Sequence, residues 1–461
     1  WLLQLYSPDL LLRLLAIAGI SSGFYALRQL KPAHTIQSGV MLLSALLGVL
    51  LIPQQWLDLR PSQYKGLSQT LLIKQAALLH TESSPLAQTT VVQSPLIPFR
   101  HAPGLSLQSP SGPPEQLAVF RDGDEMTTID HVQNSSALDY HNYMSSALPY
   151  HLHPGARNAL ILAAGTGAQI LQAHALGIAQ IDAVEADARL IDLITRRYAE
   201  YSGWSQLQHK VSLHNISERG FGASAGRYDL IISGPPGSSS GGSAGVHALS
   251  TSYRYTVEAL QSYLQRLAPD GLLSITLWTG NPPAANLKLL ATAVTAMQKL
   301  AIENPHNNIA WIRSWNTATL ILKRSPLTPT QIASVRRFSH SRNFDLAWLP
   351  DIQPAEVNRY QRLQEPLYYL AARALLADTH ERNAGEAFIR HYKYDIQPAT
   401  DNRPYFDNYF KWSSLQELLS LPAQSGIAMI GVGYPTLLVT LAQSVLATLV
   451  LILLPLGFMR S

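Results

Sequence analysis

Residues 158–187 read NALILAAGTGAQILQAHALGIAQIDAVEAD and determine the fold of the central part of the chain. The apolar run NALIL predicts a buried strand that ends in the glycines of AAGTG. The segment QILQAHALG predicts a helix, and QIDAV predicts a second strand. A strand, a helix and a further strand in this order form a βαβ unit with parallel strands. Glycines before the helix would let the backbone approach a ligand at the helix N-terminus.

The alternation of strands and helices continues toward the C-terminus. Strands are predicted in HKVSLHN, YDLIISG and LLSITLW, and helices in RLIDLITRRYAEY, TVEALQSYLQRLAPDG and ANLKLLATAVTAMQKLA. AWIRSW and ATLILKR predict a late hairpin, and residues 327–411 are predicted to be mostly helical. This order predicts an α/β fold with a doubly wound, Rossmann-like sheet over residues 153–412, including a helical C-terminal extension.

Two regions precede this sheet. Residues 116–152 predict a small β-rich N-terminal domain, because LAVF and MTTID alternate around an Asp122-Gly123 turn. Residues 59–115 are rich in Ser, Pro and Gln and are predicted to form an extended linker with one helix near Leu67–Leu79.

Uncharged segments lie at both ends of the chain. LLVTLAQSVLATLVLILLPLGF (437–458) predicts a C-terminal transmembrane helix within residues 413–461, since about 20 apolar residues cross a bilayer. Residues 1–58 predict two transmembrane helices, Asp9–Leu27 with Arg13 reaching the interface, and Ile36–Leu57. The charged fraction of 14% agrees with lipid-facing helices, since soluble proteins have about 25%.

The chain is therefore predicted to be an integral membrane protein of a bacterial inner membrane. Lys and Arg flank both sides of the predicted helices equally and do not orient the soluble domain. The chain begins at Trp1 in hydrophobic sequence, and we expect further membrane helices to precede it.

Composition excludes several kinds of site. The chain has no Cys, which excludes disulfides and thiolate metal ligands. The 15 histidines include His151-Leu152-His153 but no HExxH pattern, so no metal site is predicted. The net charge of +4 is spread without a run of Lys or Arg, and nucleic acid is not an expected partner.

An acidic residue follows the second strand of the βαβ unit. Glu185 lies 20 residues after Gly165, where a carboxylate can accept both ribose hydroxyls of an adenosine ligand. Gly165, Thr166 and Gly167 would form the adjoining loop. The alternative is that the glycines only form a tight turn and Glu185 lies at a solvated strand end. The spacing does not distinguish a dinucleotide from S-adenosylmethionine.

Several ordered motifs resemble the spermidine synthase (polyamine aminopropyltransferase) superfamily. They are Tyr140-His141-Asn142, HLHP (151–154), LILAAGTGA, IDAVEAD, YDLIISG and LSTSYRYTVEALQSYLQRLAPDGLLSITLW. LSTSYRYTVEA and PATDNRPYF (398–406) make the chain more similar to a membrane-spanning, spermidine synthase-like branch. The resemblance covers about residues 116–412. It implies a small β-domain followed by a Rossmann-like domain that binds S-adenosylmethionine or its decarboxylated form.

The resemblance assigns roles to individual residues. It implies that Glu185 binds the ribose, that Gly165, Thr166 and Gly167 form the cofactor loop, and that Tyr140 and His141 lie on the substrate side. Thr166 replaces an acid of the family, and Asn142 replaces a Glu. Asn215 lies near the position of the adenine-binding acid, without a carboxylate.

The catalytic aspartates of the family fall at Gly234 and Gly237 of SGPPG. Aminopropyl transfer needs a carboxylate to deprotonate and hold a cationic amine, and glycine can do neither. We therefore assign no catalytic residue and predict a degenerate site with no bound cofactor. The predicted function is a binding or assembly module of a membrane complex. Its predicted partners are membrane lipid, and other subunits or a second copy of the chain.

The alternative function is S-adenosylmethionine-dependent methyl or aminopropyl transfer near the membrane. Methyl transfer can proceed by proximity and orientation without a strong base. Residues 234–245 are interpreted either as a flexible lid or as a low-complexity loop. Asp401 is predicted to cap a turn or to pair with Arg403. Five aromatic residues predict an interfacial belt: Tyr405, Phe406, Tyr409, Phe410 and Trp412.

Overall fold

The computed structural model describes residues 6, 8–30, 35–57, 61–223, 226–237, 249–377, 382–415 and 433–453. The strands are β1 (Ala77–Ser83), β2 (Gln88–Gln93), β3 (Gln116–Arg121), β4 (Glu125–Asp130), β5 (Asn158–Leu162), β6 (Gln180–Val184), β7 (Val211–His214), β8 (Tyr228–Ser233), β9 (Leu267–Trp278), β10 (Ile309–Arg313), β11 (Thr317–Lys323) and β12 (Asp345–Trp348).

The α-helices are α1 (Pro8–Leu30), α2 (Thr35–Leu51), α3 (Gln54–Leu57), α4 (Gly66–Thr70), α5 (Leu148–Leu152), α6 (Ala168–Ala175), α7 (Ala188–Asp192), α8 (Trp204–Leu207), α9 (Val257–Gln265), α10 (Ala285–Lys299), α11 (Pro329–Arg342), α12 (Leu367–Leu375), α13 (Arg382–His391) and α14 (Gly433–Thr448). Shorter 3-10 segments are Ser135–Tyr143, Ser145–Ala147, Gly220–Ala223, Tyr253–Tyr255, Pro305–Asn308, Pro354–Glu356 and Trp412–Ser414, and π turns are Leu193–Arg197 and Leu449–Leu453.

An eight-stranded sheet with the order β12-β10-β11-β9-β8-β5-β6-β7 forms the centre of the molecule. The strands β7, β6, β5, β8 and β9 are parallel neighbours, and β11 and β12 run in the opposite direction. The order of the parallel strands is that of a doubly wound, Rossmann-like sheet, and the predicted fold class is confirmed in this respect. Leu162 of β5 pairs with Val184 and Ser233. The loops after β5, β6 and β8 therefore lie at one edge.

Helices cover both faces of this sheet, which explains why its strands are almost continuously apolar. On one face, α9, α10 and α12 contribute Leu260, Leu290 and Ala372 to a buried core. On the other face, α5 and α11 contribute Leu148 and Phe338 to a second core.

Capping residues lie at both ends of the helix α11. Thr328 Oγ1 accepts from the Gln331 N–H at 3.2 Å, and Gln331 Oε1 accepts from the Thr328 N–H at 3.1 Å, which forms a capping box. Pro329 occupies the first turn, and Asn343 ends the helix with a φ of 54°.

The prediction that residues 327–411 are mostly helical is only partly met, because a long, mostly irregular segment and one strand separate α11 from α12, and residues 392–411 are also irregular. The strand β12, Asp345–Trp348, pairs with β10 at the edge of the sheet. Four residues are too short for an alternating pattern to be visible in the sequence.

Residues 59–115, predicted to be an extended linker, contain two strands of a second sheet. This antiparallel sheet has the order β1-β2-β3-β4. The predicted β3–β4 hairpin is confirmed, with positive φ at Asp122 (50°) and Gly123 (74°) in its turn. The helix predicted near Leu67–Leu79 is only the short α4, because β1 begins at Ala77. The exposed, irregular pattern of β1 gave no strand signal.

The second sheet packs against α7 and the π turn that follows it. Val91, Leu117 and Ile129 form a buried cluster with Leu190 and Leu193. The segment after β6 is thereby fixed beneath the small sheet.

Two helices among the described residues are long and apolar enough to cross a membrane by length and composition, Pro8–Ala26 and Tyr434–Leu451. The predicted second span is shorter than expected, because α2 ends at Leu51 before Pro53. Residues 1–5 and 454–461 lie outside the described residues.

Arg13 binds the end of α2. Its guanidinium donates to Leu50 O at 3.1 Å and Ile52 O at 2.9 Å. Gln54, which also accepts from Arg13, donates to Asp9 at 2.7 Å. Arg13 therefore satisfies carbonyl groups that a helix C-terminus leaves unpaired, and α1 and α2 form a hairpin.

Asp345→Ala is expected to destabilise the fold by about 3–5 kcal/mol, because it leaves Arg313 buried without its partner. Asp345 is 2% exposed and accepts from Arg313 at 2.7 Å and from the N–H groups of Tyr360 and Gln361 at 2.8 and 2.9 Å. Denaturation of the solubilised chain measures the loss. The control Asp192→Ala, whose partner Arg196 is 82% exposed, should cost no more than about 0.5 kcal/mol. Equal losses in the two variants would contradict this role.

Candidate functional site

Glycines make the turn between β5 and α6. Gly165 has a φ of 54°, and Gly167, which precedes α6, has a φ of 90°. These are left-handed conformations that glycine adopts without strain. A side chain at Gly165 would meet only Ala163 O, at 3.9 Å. The loop is therefore open on the side where a ligand would approach.

Glu185 is held against this loop by two backbone groups. The Gly165 N–H donates to Glu185 Oε2 at 2.8 Å, and the Asp187 N–H donates to Oε1 at 2.8 Å. Glu185 is 7% exposed, so it does not lie at a solvated strand end. Each carboxylate oxygen has a second lone pair. The arrangement can still accept two hydroxyl groups.

Asn215 supports the backbone behind Glu185. Its Nδ2 donates to Glu185 O and Ala186 O, both at 3.1 Å. Thr166 is buried within the glycine loop. The structure thus brings together all five residues predicted to contact a cofactor. The Asn215 amide donates its hydrogen bonds to the protein backbone.

The β1–β2 hairpin covers this edge, and no sequence pattern indicated it. Ser84 Oγ donates to Asp187 Oδ2 at 3.1 Å, and Arg189 forms an ion pair with Glu82 at 2.5 Å. Ser84 and Glu82 lie in the segment predicted to be a linker, so their contact with the loop after β6 could not be foreseen.

Gln169 occupies the space beside Gly234. An ideal Cβ on Gly234 would lie 2.6 Å from Gln169 Cγ and 2.9 Å from Cδ. Gln169 is 7% exposed, and its Oε1 is buried without a hydrogen-bond partner among the described residues. A neutral amide from α6 therefore lies where a side chain at position 234 would project. Gln169 was not predicted as a site residue, because only the packing of α6 against the β8 loop reveals it.

The rest of the SGPPG segment packs on β4 and β9. An ideal Cβ on Gly237 would lie 3.1 Å from Glu125 Cβ. The Trp278 indole donates to Pro236 O at 2.8 Å. The Glu125 carboxylate lies 3.7 Å from the Arg121 guanidinium. Residues 238–248, most of the predicted lid or loop, lie outside the described residues.

Tyr140 and His141 belong to a buried polar cluster. The Tyr140 hydroxyl donates to Asp130 at 2.5 Å, and Gln116 donates to the other Asp130 oxygen at 2.8 Å. His141 is fully buried and stacks on Tyr140 with ring centroids 4.2 Å apart. Gln172 of α6 donates to His141 O at 2.9 Å. The two predicted substrate-side residues therefore lie in the interior.

Burial fixes the protonation of this cluster. It lowers the pKa of His141 to about 3, so the imidazole is neutral at pH 7. Its Nε2 lies 3.8 Å from Asp130, but a neutral ring at this distance does not form an ion pair. Burial also raises the pKa of Asp130 and of Tyr140.

The segment 398–412 differs from its prediction. Asp401 pairs with Arg219 at 2.6 Å and accepts from Thr256 at 2.6 Å, so its partner is not Arg403. It fastens the C-terminal extension to the start of α9.

The predicted aromatic belt is wrong for Phe406, which is 1% exposed in the core. Tyr405 and Trp412 are exposed, and Phe410 contacts Tyr434 at the start of α14 with centroids 5.7 Å apart. The described residues contain no group of three or more His, Asp or Glu that could hold a metal ion.

Comparison with known proteins gives distant similarities. No family model and no curated protein matches the chain. A spermidine synthase in complex with the transition-state analogue AdoDATO is 13% identical over 67% of this chain and 87% of that one, with a TM-score of 0.36. The spermidine synthase of Thermotoga maritima is 14% identical over 67% of this chain and 87% of that one, with a TM-score of 0.35.

Human methyltransferase-like protein 13 in complex with SAH is also similar. It is 13% identical over 44% of this chain and 92% of that one, with a TM-score of 0.29.

Gly234→Ala is expected to destabilise the chain by about 1–3 kcal/mol, because the new methyl group overlaps Gln169 in a packed region. Gln169→Ala in the same chain should recover most of the loss. Gly155→Ala is the control, since nothing lies within 4 Å of its Cβ position. Denaturation of all four proteins measures the effect. A Gly234→Ala variant as stable as the Gly155→Ala variant would show that Gln169 does not fill this space.

Acidification is expected to destabilise the folded chain through His141. Its pKa is about 3 when folded, against 6.5 for an unperturbed histidine. Between these values the unfolded state binds a proton that the folded state excludes. The stability is complete above about pH 6.5 and is lost as the pH falls toward 3.

Melting temperatures measured from pH 7 to pH 4 should fall less steeply for His141→Phe than for the wild type. His209→Gln, at an exposed position, should keep the wild-type slope. An unchanged slope in His141→Phe would show that His141 is not the group responsible.

Proposed function

We propose that the chain is a membrane-anchored, spermidine synthase-like module that does not catalyse aminopropyl transfer. It acts by binding, as an assembly unit with other membrane subunits or a second copy of itself. The observation that carries this proposal is the pairing of Gly234 with Gln169 at the end of β8.

Aminopropyl transfer requires removal of a proton from a cationic amine before the amine can attack. The amide of Gln169 cannot take up a proton at neutral pH, whereas a carboxylate can. An aspartate at position 234 would also collide with Gln169, whose Cγ lies 2.6 Å from the Cβ position. The local packing is therefore matched to glycine and opposes the acid that the chemistry requires.

Glu125 is the acidic residue whose contacts reach Gly237. Its carboxylate is close to Arg121 at 3.7 Å, and both side chains are 32% exposed. The atoms of Glu125 that meet the Gly237 position are its Cβ and its backbone carbon, whereas its carboxylate lies beside Arg121. Glu125 is therefore not assigned as a replacement for the missing aspartates.

Anchorage to the membrane is part of the proposal. It is supported by the apolar helices Pro8–Ala26 and Tyr434–Leu451, whose apolar windows are not buried inside the protein. The contact between Phe410 and Tyr434 joins α14 to the soluble part. Helices that present apolar side chains outward fit contact with lipid and with other membrane helices.

The second candidate function is a transferase that uses S-adenosylmethionine. The orientation of Glu185 favours it, because two backbone N–H groups at 2.8 Å fix both carboxylate oxygens beside an open glycine loop. Such a carboxylate suits the ribose of an adenosine ligand. Methyl transfer would not need the absent base.

Calorimetry separates the two functions. The purified full chain is titrated with S-adenosylmethionine, its decarboxylated form and methylthioadenosine. We expect no binding heat from any of the three. The contradicting result is saturable binding that weakens at least tenfold in Glu185→Ala and is unchanged in Glu200→Ala, an acid that is exposed. That result would favour the transferase.

A further inference from the structure

A cavity of about 790 Å³ lies beside the C-terminal half of α11, on the face of the sheet that α5 covers. Its size is within the range of about 300–1,000 Å³ that is typical of small-molecule sites. Its cationic lining residues are Arg336, Arg337, Arg342 and Arg359, and its acidic lining residue is Glu356. Because four cations face one anion, the cavity favours a negatively charged ligand.

The arginines are not equally available. Arg336 is held by Glu356 at 2.7 Å and by Asp351 at 2.9 Å. Arg359 lies near the same carboxylate, Glu356, and its Nε donates to Ala355 O at 2.8 Å. Arg337 and Arg342, in contrast, have no carboxylate partner within the ranges that the structure describes. These two guanidinium groups can therefore pair with an incoming anion.

Arg342 gives the stronger argument for a bound anion, because it is only 8% exposed. It donates to Asn142 O at 2.9 Å, to Ser341 Oγ at 3.0 Å and to Asn142 Oδ1 at 3.3 Å, and it lies over the Phe338 ring, 4.2 Å from the centroid. All of these acceptors are neutral. These contacts fix the guanidinium but do not neutralise it. A buried charge without a counter-ion is unfavourable, and an anion in the cavity would compensate it.

A second unsatisfied group lines the same cavity. Ser339 is 2% exposed, and its Oγ has no hydrogen-bond partner among the residues described. An apolar part of the wall is formed by Phe338, Phe344 and Leu346. The cavity therefore combines two available arginines with a hydrophobic wall.

We propose that this cavity binds the phosphate group of a small ligand between Arg337 and Arg342. Guanidinium groups bind phosphate through charge-assisted hydrogen bonds, and two of them match its charge. The phosphate can come from a lipid headgroup, whose apolar part would lie on Phe338 and Phe344, or from a free phosphate. This site is separate from the loop of Gly165 and Glu185 and does not depend on the function proposed above.

The test is calorimetry on the full chain in a neutral detergent, with protein-free micelles as the blank. The probes are dihexanoyl phosphatidic acid, inorganic phosphate and, as a control without phosphate, dihexanoylglycerol. We expect the first probe to bind, and Arg337→Ala and Arg342→Ala each to weaken binding at least tenfold. Arg196→Ala, at a position that is 82% exposed and outside the cavity, should change it less than twofold.

The two phosphate probes distinguish the sources. Tighter binding of dihexanoyl phosphatidic acid assigns a lipid headgroup, and equal binding assigns free phosphate. Failure of both probes to bind, or binding that survives both arginine substitutions, would overturn the proposal. Arg337 is exposed, so Arg337→Ala remains a valid test if Arg342→Ala does not fold.

Discussion

The hydrogen bonds from the Gly165 and Asp187 N–H groups to the Glu185 carboxylate determine the geometry of the whole site edge. They join the loop after β5 to the loop after β6. With the loop fixed, α6 begins at Ala168 and directs Gln169 toward the end of β8. One buried carboxylate thus sets where the glycine loop lies and which side chain meets Gly234.

The two halves of this edge differ in what their side chains can do. The half around Glu185 keeps an acid with free lone pairs beside an open loop, which suits hydroxyl groups. The half around Gly234 holds a neutral amide in a tightly packed position. Behind both halves, α6 carries Gln172, which binds the backbone of His141 in the buried cluster. A neutral imidazole with no exposed surface cannot exchange protons readily with a ligand. The interior behind the site is therefore structural.

The sequence predicted the central sheet well, because its strands are apolar runs that alternate with helices. It also predicted the residues that meet at the edge, since the ends of parallel strands share one side of a sheet. It failed where the signal was short or non-local. The strand β12 has four residues, and β1 has mostly exposed side chains with no alternation.

Contacts between distant residues could not be predicted either. Ser84 with Asp187, Arg219 with Asp401, and Gln169 with the space at Gly234 depend on the packed fold. Tyr140 and His141 were placed on the substrate side by resemblance, and only the structure shows that they are buried. The cationic cavity beside α11 had no sequence signal. Arg336, Arg337 and Arg342 lie on that one helix, but the cavity forms only where α5, β12 and the segment of Arg359 pack around it.

A product assay for aminopropyl transfer tests most directly whether the site lacks this activity. The purified full chain is incubated with decarboxylated S-adenosylmethionine and putrescine, and spermidine and methylthioadenosine are measured by mass spectrometry. We expect no spermidine above the protein-free control. Spermidine formed at ordinary enzymatic rates, about 1 s⁻¹ or faster, would contradict it. Loss of that activity in Glu125→Gln would then identify Glu125 as the missing base.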